Sequence, residues 1–205
     1  IKLLLFEPNM VLGRSNKFLI SYCQKIFCYS NNIKRFPTEF KNKIKVIPAL
    51  LRKNFYDKRD SNNSLDTINL LIIGGSQGAK IFDDLVKNTI IELSKKHKLK
   101  IYQQTSSINF ESFKKTYENN NINCELFNFN DDVINFMQKT DLCITRAGAS
   151  TLAELNFNEI PYLAIPLPTA KDNHQFENAY FYNKLGFNWL LNQKETDEKI
   201  LLDKL

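Results

Sequence analysis

The sequence predicts an α/β protein built on parallel sheets with helices on both faces. Three observations carry this. Apolar runs alternate with helical patterns through the second part of the chain, the signature of βαβ units. The runs are continuous rather than alternating in polarity, as strands covered on both faces must be. Small-residue loops follow several of them, where strand passes into helix.

The first part is the less regular. Ile1–Phe6 is apolar from its first residue and reads as a buried strand entered midway, as if the sequence began inside a domain. It lacks the basic n-region and cleavage site of a signal peptide. The pattern then predicts a helix over Gly13–Cys23, a strand over Lys25–Tyr29, an irregular polar stretch over Phe36–Lys45 and a third apolar piece, Lys45-Val46-Ile47, stopped by Pro48. Asp57–Thr67 has no periodicity and is rich in Asp, Asn and Ser, so it is the expected linker. It divides residues 1–55 from residues 66–205.

Beyond the linker each element has its own signal. Ile68–Ile73 is an apolar run interrupted by Asn69 alone and closed by Gly74-Gly75-Ser76-Gln77-Gly78. A helix follows with Ile81, Phe82, Leu85, Val86, Thr89, Ile90 and Leu93 on one face. Its last turn carries Lys95, Lys96, His97 and Lys98, cations suited to a C-terminal dipole. Strands are predicted at Lys100–Gln104, Cys124–Phe129, Asp141–Thr145 and Tyr162–Ile165. Helices are predicted at Asn109–Tyr117, Asp131–Lys139, Ser150–Phe157 and Gln175–Leu185, the last with Gly186 just beyond its end. The final residues, Ile200 to Leu205, also follow a helical pattern.

Composition narrows the function. The 205 residues are 43% apolar with a net charge of +6, enough for a sizeable core. No apolar run reaches 18 residues, so no helical membrane span is expected. The positive charge comes from 23 Lys scattered along the chain and 5 Arg, whereas nucleic-acid binders cluster their cations and favour Arg. No nucleic-acid partner is expected. Cys23, Cys28, Cys124 and Cys143 form no CxxC and no metal spacing with the two histidines. Neither a metal nor a cofactor is expected, and a reducing compartment is. Cys143 reads as a small buried hydrophobe.

In open parallel sheets ligands sit beyond the carboxyl ends of the strands. The glycines after Ile73 let backbone N–H groups approach an anion, or they merely make a tight turn. Their spacing is neither GxGxxG nor GxxxxGK[ST]. Asn130-Asp131-Asp132 follows another strand, with the acids suited to a helix N-terminus. After Thr145 comes Arg146-Ala147-Gly148-Ala149-Ser150-Thr151-Leu152-Ala153-Glu154. Here Glu154 either closes a capping box with Thr151 or points into the cleft and accepts bonds from vicinal hydroxyls. After Ile165 a polar loop ends in His174-Gln175, able to bond a sugar; a lone His there is more often a surface or capping residue.

Together these segments resemble the MurG family. The resemblance is carried by GGSQGA at 74–79, TRAGASTLAEL at 145–155 and PYLAIPLPTAKDNHQFENA at 161–179. Phe6-Glu7-Pro8-Asn9, with Gly13 and Asn16, is similar to the family's Glu-Gln-Asn segment, with Pro8 in place of Gln. The resemblance implies a GT-B glycosyltransferase, two Rossmann-like domains facing across a cleft. Residues 1–55 would end the N-terminal, acceptor-binding domain, and 66–205 would be the UDP-GlcNAc-binding domain. It further implies backbone recognition of uracil at Asn130, the diphosphate near Ser76, and Glu154 on the ribose hydroxyls. The loop Ala149, Ser150, Thr151, Leu152, Ala153 and Glu154 would wrap the nucleotide sugar. Gln175 would contact the sugar, and Asn9 would reach it from the other domain. Arg52 ends Pro48-Ala49-Leu50-Leu51-Arg52, which stands where the family has Gly-Asn-Pro-Val-Arg.

The implied reaction is inverting and metal-independent. It moves GlcNAc from UDP-GlcNAc to a lipid-linked muramyl-pentapeptide, lipid I, to form lipid II for peptidoglycan. The enzyme would work peripherally on the cytoplasmic face of the bacterial plasma membrane. Its catalytic base is expected upstream of Ile1. Two alternatives stand beside this. One is another GT-B UDP-sugar glycolipid transferase, for which the Pro8 departure leaves room. The other is a nucleotide-sugar-binding subunit that needs a separate acceptor-binding chain. A Rossmann oxidoreductase would need a dinucleotide fingerprint, which is lacking.

Overall fold

The computed structural model describes residues 2–56, 66–74, 85–128 and 133–205. They form two parallel sheets. The small sheet has the order β1 (Leu4–Glu7), β2 (Lys25–Cys28), β3 (Ile44–Val46). Helix α1 covers Arg14–Leu19, shorter than the expected Gly13–Cys23. By Gln24, whose N–H donates to Leu3 O at 3.0 Å, the chain is already entering β2. The stretch expected to be irregular contains a 3₁₀ helix, Thr38–Lys43.

The large sheet is built from β4 (Ile68–Ile73), β5 (Leu99–Gln104), β6 (Asn123–Phe127), β7 (Leu142–Thr145), β8 (Tyr162–Ala164) and β9 (Asn188–Leu190). Their spatial order is β6-β5-β4-β7-β8-β9, all parallel. This is the doubly wound arrangement. The described helices are α2 (Lys87–Ser94), α3 (Phe110–Asn119), α4 (Val133–Met137), α5 (Ala149–Phe157), α6 (His174–Lys184) and α7 (Glu198–Lys204).

The run at β4 is apolar but for Asn69 because both of its faces are covered. Leu70 and Ile72 pack under Ile90, Phe113, Tyr117 and Leu201. Leu71 and Ile73 belong to the opposite core with Phe136, Leu152, Leu155 and Ala179. Asn69, which interrupts the run, is buried but paired. Its backbone N–H and its side-chain amide both donate to Asp141 Oδ2, at 2.8 and 3.0 Å. Helix α6 ends as Gly186 foretells: Gly186 has φ 81°, its N–H donates to Asn183 O, and Phe187 N–H donates to Tyr182 O. These are the two bonds of a Schellman cap. The short strand β9 directly after it has no sequence signal, being three residues of mixed exposure.

One packing relation crosses the expected boundary. Phe55, in the 3₁₀ turn Lys53–Tyr56, is fully buried in the core of the large sheet, and Leu51 packs against it. Residues 57–65 of the expected linker lie outside the described residues. Phe55→Ala should therefore destabilise the large sheet by about 3–5 kcal/mol. Urea unfolding followed by circular dichroism should show a lower midpoint at an unchanged slope; a midpoint within error of the parent would mean that Phe55 is not part of that core.

Cys23, Cys28 and Cys143 are buried and Cys124 is half-buried. Burial, with some help from Glu7, pushes the Cys28 thiol up to about 12, and burial raises Cys143 as well. The native protein should react with one equivalent of Ellman's reagent at pH 8, at Cys124, and the denatured protein with four. Cys124→Ser should remove the native reaction.

Candidate functional site

Strand order decides where a ligand can sit. β4 and β7 are neighbours, with Ile73 beside Thr145, yet β5 lies on one side of the pair and β8 on the other. The connections leave in opposite directions, and in open parallel sheets it is beyond the carboxyl ends of two such strands that a ligand crevice forms. Gly74 follows β4 there, and Arg146-Ala147-Gly148 follows β7.

Helix α5 starts in this crevice. Its N-cap is Gly148, extended at φ −66° and ψ 135°, with no side-chain cap. The first N–H groups of a helix have no partner inside it, so α5 presents donors and the positive end of its dipole to the crevice. Arg146 lies buried just before it, donating from Nη1 to Ile165 O at 2.8 Å and Gln193 Oε1 at 2.7 Å. Burial lowers Arg146 only to about 10, so it stays charged at neutral pH. Ala149, Ser150 and Thr151 form the open first turn. Leu152 and Ala153 are core residues, and only their main chain is left for a ligand.

The expected alternatives for Glu154 separate here. With Gly148 as the cap, Thr151 lies inside the helix and no capping box forms. The Glu154 side chain, 7% exposed, instead accepts a bond from Arg52 Nε at 3.1 Å. Arg52 comes from the segment before the linker, and its guanidinium also lies 4.8 Å over the Phe55 ring. Burial pushes the Glu154 carboxyl above the ordinary range, and the charge and hydrogen bond of Arg52 offset this in part. The result is a buried carboxyl paired with one half-exposed cation.

The small sheet reaches the same crevice through Asn9. Glu7, buried at the end of β1, accepts from Asn9 N and Nδ2 on one oxygen and from Gly13 N and Asn16 Nδ2 on the other. This carboxylate folds the loop that presents Asn9. Asn9 Oδ1 then accepts from Asn178 Nδ2 at 3.0 Å, and the same amide group donates to Ala147 O at 3.1 Å. Met10 N–H donates to Asn178 Oδ1 at 2.8 Å. Asn178, 1% exposed on α6, thus joins both sheets. Three residues earlier on that helix, Gln175 Oε1 accepts from Leu167 N at 2.9 Å. This bond uses the amide oxygen as its acceptor. His174 serves the turn, its Nδ1 lying 2.7 Å from Lys171 O.

Ser76 and Asn130 lie outside the described residues. The other sequence-assigned positions fall in two connected groups, Arg52 with Ala149–Glu154, and Asn9 with Gln175 on α6 across Asn178. Asn178 and Glu7 lie inside the motifs that carry the resemblance, but sequence reasoning gave neither a role. The available signal was a polar residue on an otherwise buried helix or strand position, which demands partners. Among the described residues no group of three or more His, Cys, Asp or Glu is placed to hold a metal ion. None of the described helices is long and apolar enough to cross a membrane.

Comparison with known proteins agrees with this geometry. Residues 69–205 match the glycosyltransferase family 28 C-terminal domain. A transferase of Pelagibacter ubique is 88% identical over all 205 residues. It is named UDP-N-acetylglucosamine–N-acetylmuramyl-(pentapeptide) pyrophosphoryl-undecaprenol N-acetylglucosamine transferase. A Rickettsia bellii protein of the same name is 36% identical over the whole chain. The chain spans 58% and 60% of the length of these two relatives. The crystal structure of Acinetobacter baumannii MurG superposes with a TM-score of 0.78 at 26% identity, covering 100% of this chain and 57% of that one. The resemblance read from the motifs is borne out, and the chain belongs to glycosyltransferase family 28, with that family's C-terminal domain at residues 69–205.

Proposed function

We propose that this chain carries the UDP-GlcNAc site of a transferase that moves GlcNAc onto lipid I to form lipid II in peptidoglycan synthesis. Residues 66–205 bind the donor, and residues 1–55 are the end of the acceptor-binding domain. The protein works peripherally on the cytoplasmic face of the plasma membrane. The observation that supports this most is Glu154, a buried carboxylate at the crevice of a doubly wound sheet, where vicinal ribose hydroxyls are best bound. Asn9 and Gln175 flank the sugar, Asn130 and Ser76 take the uracil and diphosphate, and the open first turn of α5 lies against the nucleotide. The names of the relatives point the same way.

In the reaction a hydroxyl of the acceptor attacks the anomeric carbon, the bond to the diphosphate breaks, and UDP leaves with inversion. Negative charge grows on the leaving diphosphate and must be met by preorganised donors. The N-terminal amides and dipole of α5, with Arg52 and the buried charge of Arg146, supply that compensation. The proton of the attacking hydroxyl goes to a base in the portion of the relatives that this chain does not span.

Calorimetric titration tests the reading. The chain should bind UDP and UDP-GlcNAc, and should bind ADP at least a hundredfold more weakly. Equal binding of ADP, or no binding of either uridine nucleotide, would refute a UDP-sugar site.

Glu154→Gln separates ribose recognition from structure. Losing charge-assisted bonds to two hydroxyls costs on the order of 1.5–3 kcal/mol, so UDP affinity should fall about 10- to 100-fold. The preference for UDP over 2′-deoxy-UDP should vanish with it. A carboxyl raised on folding favours the protonated native state, so its contribution to stability is full at low pH and lost as pH rises through the raised value. Glu154→Gln should therefore melt no lower than the parent at pH 7 and lose ground to it in acid. UDP binding to the parent should weaken on acidification above the ordinary carboxylate range, with the variant flat there. A variant that melts lower at pH 7 while keeping the discrimination would make Glu154 a structural residue.

A further inference from the structure

We propose that Asp172 is a positioning residue for the sugar end of the donor, held in place by Arg14 and Arg35 of the opposite half. This rests on the reading of the crevice as a UDP-sugar site. The loop from Pro166 to Asn173 leaves the carboxyl end of β8 and turns into α6, whose second residue is Gln175. At the turn Asp172 and Asn173 have φ of 56° and 58°. Two successive left-handed residues are uncommon outside glycine, and Asp and Asn are among the few side chains that tolerate the conformation. Such a turn persists when its surroundings over-determine it.

The surroundings come from the small-sheet half. Arg14 Nε lies 3.3 Å from Asp172 Oδ2, and Arg35 Nη1 pairs with Asp172 Oδ1. Arg35 is itself left-handed, with φ 57°, so both ends of that contact are held in a demanding geometry. Within the loop, Asn173 N–H donates to Ala170 O and Ala170 N–H donates to Leu167 O. Leu167 N–H donates to Gln175 Oε1, so the turn and the amide of Gln175 form one closed hydrogen-bonded unit. Gln175 is thus bracketed by two ties to the opposite half, Asp172 before it and Asn178 with Asn9 and Met10 after it. The Asn178 tie is buried. The Asp172 tie is exposed, with Arg14 and Arg35 side chains 70% and 58% accessible, and exposed ion pairs add little to global stability. Its effect is therefore on where Gln175 stands.

The role predicts a selective loss. Asp172→Asn in the full chain, which keeps a side chain that tolerates the left-handed turn and removes the charge, should weaken UDP-GlcNAc by about tenfold, the scale of a modest misplacement, and leave UDP within twofold and the melting temperature within a degree or two. Arg14→Ala/Arg35→Asn should reproduce that pattern. Unchanged UDP-GlcNAc binding by Asp172→Asn would overturn the proposal, as would equal weakening of UDP and UDP-GlcNAc. Failure of the parent chain to bind UDP at all would overturn the donor reading, and this inference with it.

Discussion

The reversal of strand order between β4 and β7 is the constraint from which the rest of the molecule follows. Both strands are central, and both are covered on two faces, so neither can carry a ligand along its length. The connections diverge at their carboxyl ends, and the N-terminus of α5 with its backbone donors lies there. The β7–α5 loop accepts that opportunity with Gly148 as an uncapped N-terminus. A capping side chain there would have stabilised α5 and occupied its donors.

The two sheets are joined at this end by polar groups. Met10, Asn9, Asn178 and Ala147 form a small satisfied network, and Glu7 fixes the loop that delivers the first two. A hydrogen-bonded network demands distances and angles that apolar contact does not. Apolar contact is also present, through Phe181 of α6 against the small-sheet core. A helix that packs its Ala179 on one core and its Phe181 on another, with Asn178 between them, is well placed to hold two lobes at a set separation.

Glu154 illustrates the tension between holding a site and holding a fold. Its carboxylate is buried where charge is costly, and Arg52 relieves only part of that cost. A neutral side chain would suit the fold as well or better. A buried acid kept in such a place fits the proposed site for hydroxyl groups, since local stability and local chemistry part company at functional positions.

The sequence by itself determined the doubly covered strands, the helices between them and the family that the motifs resemble. These follow from nearest-neighbour patterns: an apolar run of strand length, a 3.6-residue stripe, a glycine one step past a helix. It also placed Gly186 at the end of α6, because a left-handed cap selects glycine locally. Thr151 and Glu154 show the limit. Their spacing fits a capping box as well as a binding loop, and the capping box was excluded by Gly148 taking the cap and by Arg52, 102 residues away, meeting the carboxylate. Asn178 and Asp172 were no more legible, since their partners in the small-sheet half lie 137 to 169 residues distant. Local pattern records which residues need partners; which partner each one meets is decided when distant strands and loops are brought to the same end of a sheet.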